Sequence, residues 1–274
     1  MDLQIFGGSG AGSGRKRGGG GTPSGVNYEQ FMKMSEDERY DFMEKIINDP
    51  NIVVPKYLDK SMTSKVMYGL GMNNKPTVVS DEELDKIQGK DWYRSVKDSQ
   101  NPFITSKEIL EQIRTSDYTQ LSNKGGSAYG KGLYFTDEYG NALDYSAWGA
   151  SKDYPAANNP MMMRAKLKPG TSLPDIEKVW SDMAVDTSFY FRPSGGSERA
   201  WGGIINSHGL TNHEETTSLY ALSHGIKGVK AKQPGPPGFE TYEIAILDRS
   251  VLITSSANKS IKNAPESWTE APNA

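Results

Sequence analysis

Short β-type runs, fenced by helical stretches of unequal length, restrict the fold of this chain more than any other feature. Trp92–Val96 is aromatic and β-branched, and Leu133–Thr136 follows a Gly-rich turn at 125–132. Met161–Leu167 stops at Pro169-Gly170, while Gly228–Lys230 and Phe239–Leu247 flank the turn Pro234–Gly238. Between them, apolar spacing predicts helices over Ser106–Ser116, Glu138–Ala147 and Pro174–Ala184. A further helix, capped by Asn212 with Glu215, carries Leu219, Tyr220 and Leu222 and ends at Gly225. Strands and helices are interspersed without regular βαβ spacing. That predicts an α+β fold rather than a doubly wound sheet.

The region before Asp91 reads differently. Ser35 with Glu38 forms a capping box ahead of Tyr40, Phe42, Met43, Ile46 and Ile47, and Asp49-Pro50 ends that helix. A second helix is expected over Lys56–Leu70, with Met62, Val66 and Leu70 on one stripe and Gly71 as the stop. A third starts at Ser80, capped through Glu83, with Leu84 and Ile87 inward and Gly89 after it. Four segments result: a disordered Gly/Ser-rich tail over 1–27, a helical lead-in over 28–90, a domain of mixed strands and helices over 91–254, and a flexible polar tail over 255–274.

Bulk properties narrow the function classes. The net charge of -3 argues against a broad nucleic-acid grip, despite Arg15, Lys16 and Arg17 in the tail. The absence of cysteine excludes disulfides, thiol nucleophiles and thiolate metal sites. No apolar run reaches 18 residues and the N-terminus lacks a basic n-region, so no membrane span or secretory signal is expected. His208, His213 and His224 are scattered without a His-x-x-x-His pair, so no metal site is expected either.

Four places carry side chains suited to chemistry. Arg94 interrupts an otherwise apolar strand, which is costly unless an anion pairs with it or it faces solvent. Gly125–Gly132 matches the start of a phosphate-binding loop. Gly132, however, replaces the Ser or Thr that holds magnesium, and a strand follows instead of a helix. Its glycines fit either a plain hairpin or a close approach to a ligand or neighbouring strand. Tyr134 and Tyr145 are spaced to clamp a flat ring or to pack in the core. Glu243, at the mouth of an apolar strand and preceded by Glu240, is either a rim residue or a placed catalytic carboxylate.

In this order the pieces resemble the ADP-ribosyltransferases, most closely those encoded beside bacteriophage head genes. Tyr93-Arg94-Ser95-Val96 resembles the family's early Y-R-G-V strand, and GKGLYFTDEYGNALDY resembles its G-K-G-I-Y-F-A-D…A-x-Y segment. FETYEIAILDRS resembles its closing E-x-x-V-L-x-R strand. The resemblance spans roughly residues 60–254 and implies two packed mixed β-sheets with flanking helices. It also implies transfer of ADP-ribose from NAD to a macromolecular acceptor, a host bacterial protein, with release of nicotinamide and no metal.

By the same resemblance Glu243 stabilises the oxocarbenium-like ribose, and Arg94 fixes the cofactor's phosphates or ribose. Tyr134 supports the nicotinamide pocket, Tyr145 stacks on the ring, and Thr136 stands where some members orient the glutamate. Ser95 and Gly132 complete the cofactor-binding set; Glu240 and Thr241 fall on the acceptor side. Phage head proteins are further implied partners, and the bacterial cytoplasm or the virion the implied location. Ser95 stands in place of glycine, and Thr241 stands where arginine-modifying members carry glutamate. NAD glycohydrolysis, and a virion structural or interaction role on a degenerate transferase fold, are the alternative functions.

Overall fold

The computed structural model describes residues 22–55, 61–72, 75–96, 105–115, 129–147, 161–186, 192–194, 197–199, 213–233, 240–257 and 259–260. Its helices are α1 (Tyr28–Met32), α2 (Glu36–Asn48), α3 (Met62–Gly69), α4 (Asp81–Lys86), α5 (Ser106–Thr115), α6 (Tyr139–Ala147), α7 (Ile176–Val185) and α8 (His213–Ser223). The strands are β1 (Thr77–Val79), β2 (Asp91–Val96), β3 (Leu133–Thr136), β4 (Met161–Leu167), β5 (Arg192–Ser194), β6 (Ser197–Arg199), β7 (Gly228–Gln233), β8 (Thr241–Ile246), β9 (Leu252–Ser255) and β10 (Lys259–Ser260). The fold is α+β.

One mixed sheet runs β1-β9-β4-β2-β3-β8-β7, with β10 also on β4, and β5 pairs only with β6. Among these pairings only β1–β9 is parallel. The sheet has a narrow middle. Strand β2 matches β4 from Asp91 to Val96, and β3 matches β8 from Leu133 to Thr136, yet β2 meets β3 only at Tyr93↔Thr136. The strands expected to form two sheets are thus hydrogen-bonded into one, as two halves sharing a single pair.

Each face is covered by its own core. Under α5, Leu110 and Ile113 pack with Trp92, Phe135, Met163, Ile244 and Leu252. On the other face the first three helices share a core with α7, α8 and β7, joining Phe31, Tyr40, Met43 and Val66 to Val179, Leu219, Val229 and Ala245. Strand β4 is buried on both faces, so Arg164 and Lys166 lie inside. Burial of two cations on a strand demands anions. Arg164 bonds Asp85 and approaches Asp91 at 3.7 Å, and Lys166 also approaches Asp91 at 3.7 Å. No helix among the described residues is long and apolar enough to cross a membrane.

Local signals translate directly. Both expected capping boxes, Ser35/Glu38 and Ser80/Glu83, are formed, and Asn27/Gln30 adds a third that opens α1. Residues 22–27, placed in the tail by composition, carry Ser24, whose hydroxyl donates to the Gly69 carbonyl at 2.7 Å. Residues 1–21, including the basic cluster, lie outside the described residues, as do 56–60, 125–128, 200–212 and 261–274. The segment 28–90 also contributes a strand, β1, which spacing had not indicated.

The expected cap of α8 by Asn212 with Glu215 lies outside the described residues at Asn212. Glu215 also has a distant partner. Its buried carboxylate accepts hydrogen bonds from the Thr63 N–H at 3.0 Å and the Thr63 hydroxyl at 2.6 Å. Thr63 lies in the first turn of α3, where free N–H groups and the helix dipole favour an anion. Replacing Glu215 with Ala strips a buried N–H of its acceptor, and is expected to cost about 2–3 kcal/mol in urea unfolding. A loss below about 0.5 kcal/mol would show that this contact does not hold α3 in place.

Candidate active site

The site grows from the β3–β8 register. Thr136 lies opposite Glu243, Glu243 lies opposite Ala231 on β7, and Tyr93 completes the row on β2. Paired residues point to the same face, and neighbouring strands lie about 4.8 Å apart, so Tyr93 and Glu243 stand roughly 10 Å apart along the row. A glycine eases this register. A Cβ on Gly132 would lie 3.0 Å from the Ile246 carbonyl oxygen, closer than side chains ordinarily come, so a larger residue would ask the two strands to give by a few tenths of an ångström. Of the two approaches open to this glycine, that to a neighbouring strand is the one seen.

Glu243 is buried, 6% exposed. Its Oε2 accepts a hydrogen bond at 2.8 Å from the Gln233 amide, which also donates to the Tyr129 hydroxyl at 2.7 Å. The Tyr129 ring stacks on Tyr134 at 6.1 Å, and Trp180 lies tilted at 6.4 Å. The Tyr134 hydroxyl donates to the Gly130 carbonyl at 2.7 Å and accepts from the Tyr129 N–H at 3.0 Å. Tyr134 therefore shapes the turn that carries Tyr129 and, through it, the amide that grips the carboxylate.

Arg94 sits one residue off the row. If β2 continued to pair with β3, Ser95 would face Tyr134; instead the Arg94 guanidinium donates to the Tyr134 carbonyl at 2.8 Å. The cation thus fills the place where the two halves of the sheet part. Burial pulls it down to about 10, with Tyr134 acting the other way, so it stays charged at neutral pH. Ser95 turns to the opposite side and donates to the Ala142 carbonyl of α6. Its neighbour Tyr93 packs edge-on against Tyr139 at 5.6 Å, and burial pushes its phenol up to about 12.

The remaining expected residues separate. The Thr136 hydroxyl, opposite Glu243 in register, accepts from the Glu138 N–H at 3.3 Å. Thr241 shares the face of Glu243, and its hydroxyl receives the Asn141 amide at 3.4 Å. Glu240 belongs to the other face, bound to Lys232 and to the Tyr242 hydroxyl. Tyr145 lies on α6, and its side chain falls outside the described residues. No protein-family model, no curated protein and no solved structure matches this chain.

Gln233, Tyr129 and Asn141 escaped the sequence reading. Only Gln233 carried a trace of a signal: it stands two residues after Ala231 and so shares that strand face. Chemically, the cluster offers a fixed carboxylate and a row of aromatic rings, with Arg94 at the next position of β2 after Tyr93. The lowered pKa of Arg94 means that its charge opposes folding at every pH below about 10, and that this cost fades as pH rises toward the ordinary value. Arg94→Met, which removes that cost along with the hydrogen bond to Tyr134, is expected to fall within about 1 kcal/mol of the parent in urea unfolding. A loss beyond about 3 kcal/mol would make Arg94 a residue of the fold alone.

Proposed function

We propose that this protein transfers ADP-ribose from NAD to a macromolecular acceptor, with release of nicotinamide. The observation that carries the reading is Glu243: a buried carboxylate held by Gln233, in one sheet row with Thr136 and Tyr93, with Arg94 next along β2. The finer fold assignment, an ADP-ribosyltransferase-like arrangement, is part of the same proposal. It is supported by the narrow middle of the sheet, where early, middle and late strands meet in the order the motifs require.

In the reaction, the bond between ribose C1′ and the nicotinamide nitrogen breaks and its electron pair leaves with nicotinamide. The sugar becomes oxocarbenium-like, as in glycoside cleavage. Glu243 accepts hydrogen bonds from the ribose hydroxyls and stabilises that positive charge. Arg94 attracts the pyrophosphate of NAD and helps hold C1′ in reach of the acceptor. The acceptor's nucleophile then bonds to C1′ and gives up its proton. Gln233 acts through Glu243 as a positioning residue. A host bacterial protein is the acceptor, on the strength of the motif resemblance.

Incubation with labelled NAD and bacterial lysate is expected to label a protein band. Glu243→Gln should abolish that labelling by more than about 100-fold while NAD affinity stays within several-fold, because the lost contact belongs to the transition state. Arg94→Ala should weaken NAD binding itself by about 1–3 kcal/mol in calorimetry. Gln233→Ala is expected to lower kcat about tenfold or more with little change in KM, as misplacement of a catalytic group does. Free ADP-ribose without labelled protein would indicate water as the acceptor. No NAD binding at all would end the enzyme reading.

A further inference from the structure

Away from Glu243, three chain segments converge on one polar cluster. Glu36 comes from the first turn of α2, Asp186 follows α7, and His224 follows α8. One ligand atom from each lies within 4.8 Å of the other two, and all three residues are half-buried. The buried Tyr40 hydroxyl stands between the carboxylates, 2.6 Å from Asp186 and 3.1 Å from Glu36. A phenol has one proton, so it serves one of these two carboxylates and not both. Burial and the two carboxylates hold that phenol far above its ordinary value, so it remains protonated.

The histidine ring is held at its Nδ1 edge. Nδ1 lies 2.9 Å from the Tyr220 carbonyl and 3.0 Å from the Ser223 hydroxyl. With the proton on Nδ1, donated to that carbonyl, Nε2 presents a lone pair. Stacking on Tyr220 at 4.0 Å sets the ring plane. Nε2 is thereby aimed at Glu36 Oε2, 3.7 Å away. Donation of the far ring N–H to a backbone carbonyl is how metal-binding histidines are oriented. In the neutral ring, an Nε2 lone pair and two carboxylates converge on one point.

We propose that Glu36, Asp186 and His224 form a binding site for a divalent cation of the zinc type. One imidazole and two carboxylates suit zinc and its first-row neighbours better than magnesium or calcium, which prefer oxygen alone. Ligand bonds of about 2.0–2.2 Å require the three atoms to close by roughly 1 Å, a small rotation for the half-exposed Glu36. Bound there, the cation ties the second helix to the C-terminal ends of α7 and α8. The site is independent of the transferase reading, and neither falls with the other.

The test uses the full chain, stripped with a chelator and titrated with zinc chloride in a calorimeter. One equivalent should bind, and a free concentration about 100 times the dissociation constant should raise Tm by about 5–10 °C. Cobalt in place of zinc should give the visible bands of a low-coordinate site. His224→Ala and Asp186→Asn should each weaken binding by more than about tenfold; if either fails to fold, Glu36→Gln at the helix surface serves instead. Equal uptake by the parent and all foldable variants would place the metal elsewhere and overturn the proposal. So would absence of uptake by the parent.

Discussion

Everything near the site depends on how closely β3 lies against β8. Strand β3 is only four residues long, yet it is the piece that joins the two halves of the sheet. Gly132 lets its leading end lie close to the backbone of Ala245 and Ile246, and the ladder that follows sets Thr136 opposite Glu243. A slip of one residue would turn every side chain of β3 to the other face. On its other edge β3 pairs once with β2 and then parts from it, leaving a carbonyl that Arg94 occupies. A short strand with one tight edge and one loose edge thus sets both the row that holds Glu243 and the carbonyl that Arg94 binds.

What could be read from the chain follows how local each signal is. The Ser35 and Ser80 caps were legible because both partners lie three residues apart. Strands β3 and β4 were legible in full because Gly and Pro mark their limits. Strands β1 and β9 were not: each is a few residues long, and among the described residues β1 pairs only onto β9, which is itself held by β4. The Asn212–Glu215 pattern gave no hint that Glu215 also bonds Thr63, 152 residues away. Glu243 could be suspected as an acid at the mouth of an apolar strand. Gln233 could not, because an amide has no meaning until register sets it beside a carboxylate. His224 looked isolated for the same reason; its neighbours come from other elements.

Helix α8 shows why hydrophobic period alone underdescribes this protein. Its buried face includes Glu215, Thr217 and Ser218 as well as Leu219 and Leu222. Each polar group meets a different neighbour: Glu215 the N–H of Thr63, Thr217 the indole N–H of Trp180, and Ser218 the N–H of Lys131. Buried polar groups hold little net energy when satisfied but exact a large penalty when displaced. One helix therefore specifies where α3, α7 and the turn before β3 must lie, and that turn carries Tyr129 toward Glu243.

The tie between Tyr28 and α8 also bears on synthesis at the ribosome. The Tyr28 hydroxyl bonds the Leu222 carbonyl across 194 residues, and Phe31, Tyr40 and Met43 share a core with Leu219 and Leu222. Helix α1 has 5 residues and α2 has 13, too short to persist alone in water. Both leave the ribosome well before the helix that covers them. Until α8 emerges, their greasy side chains lack that native surface, a state open to misassociation.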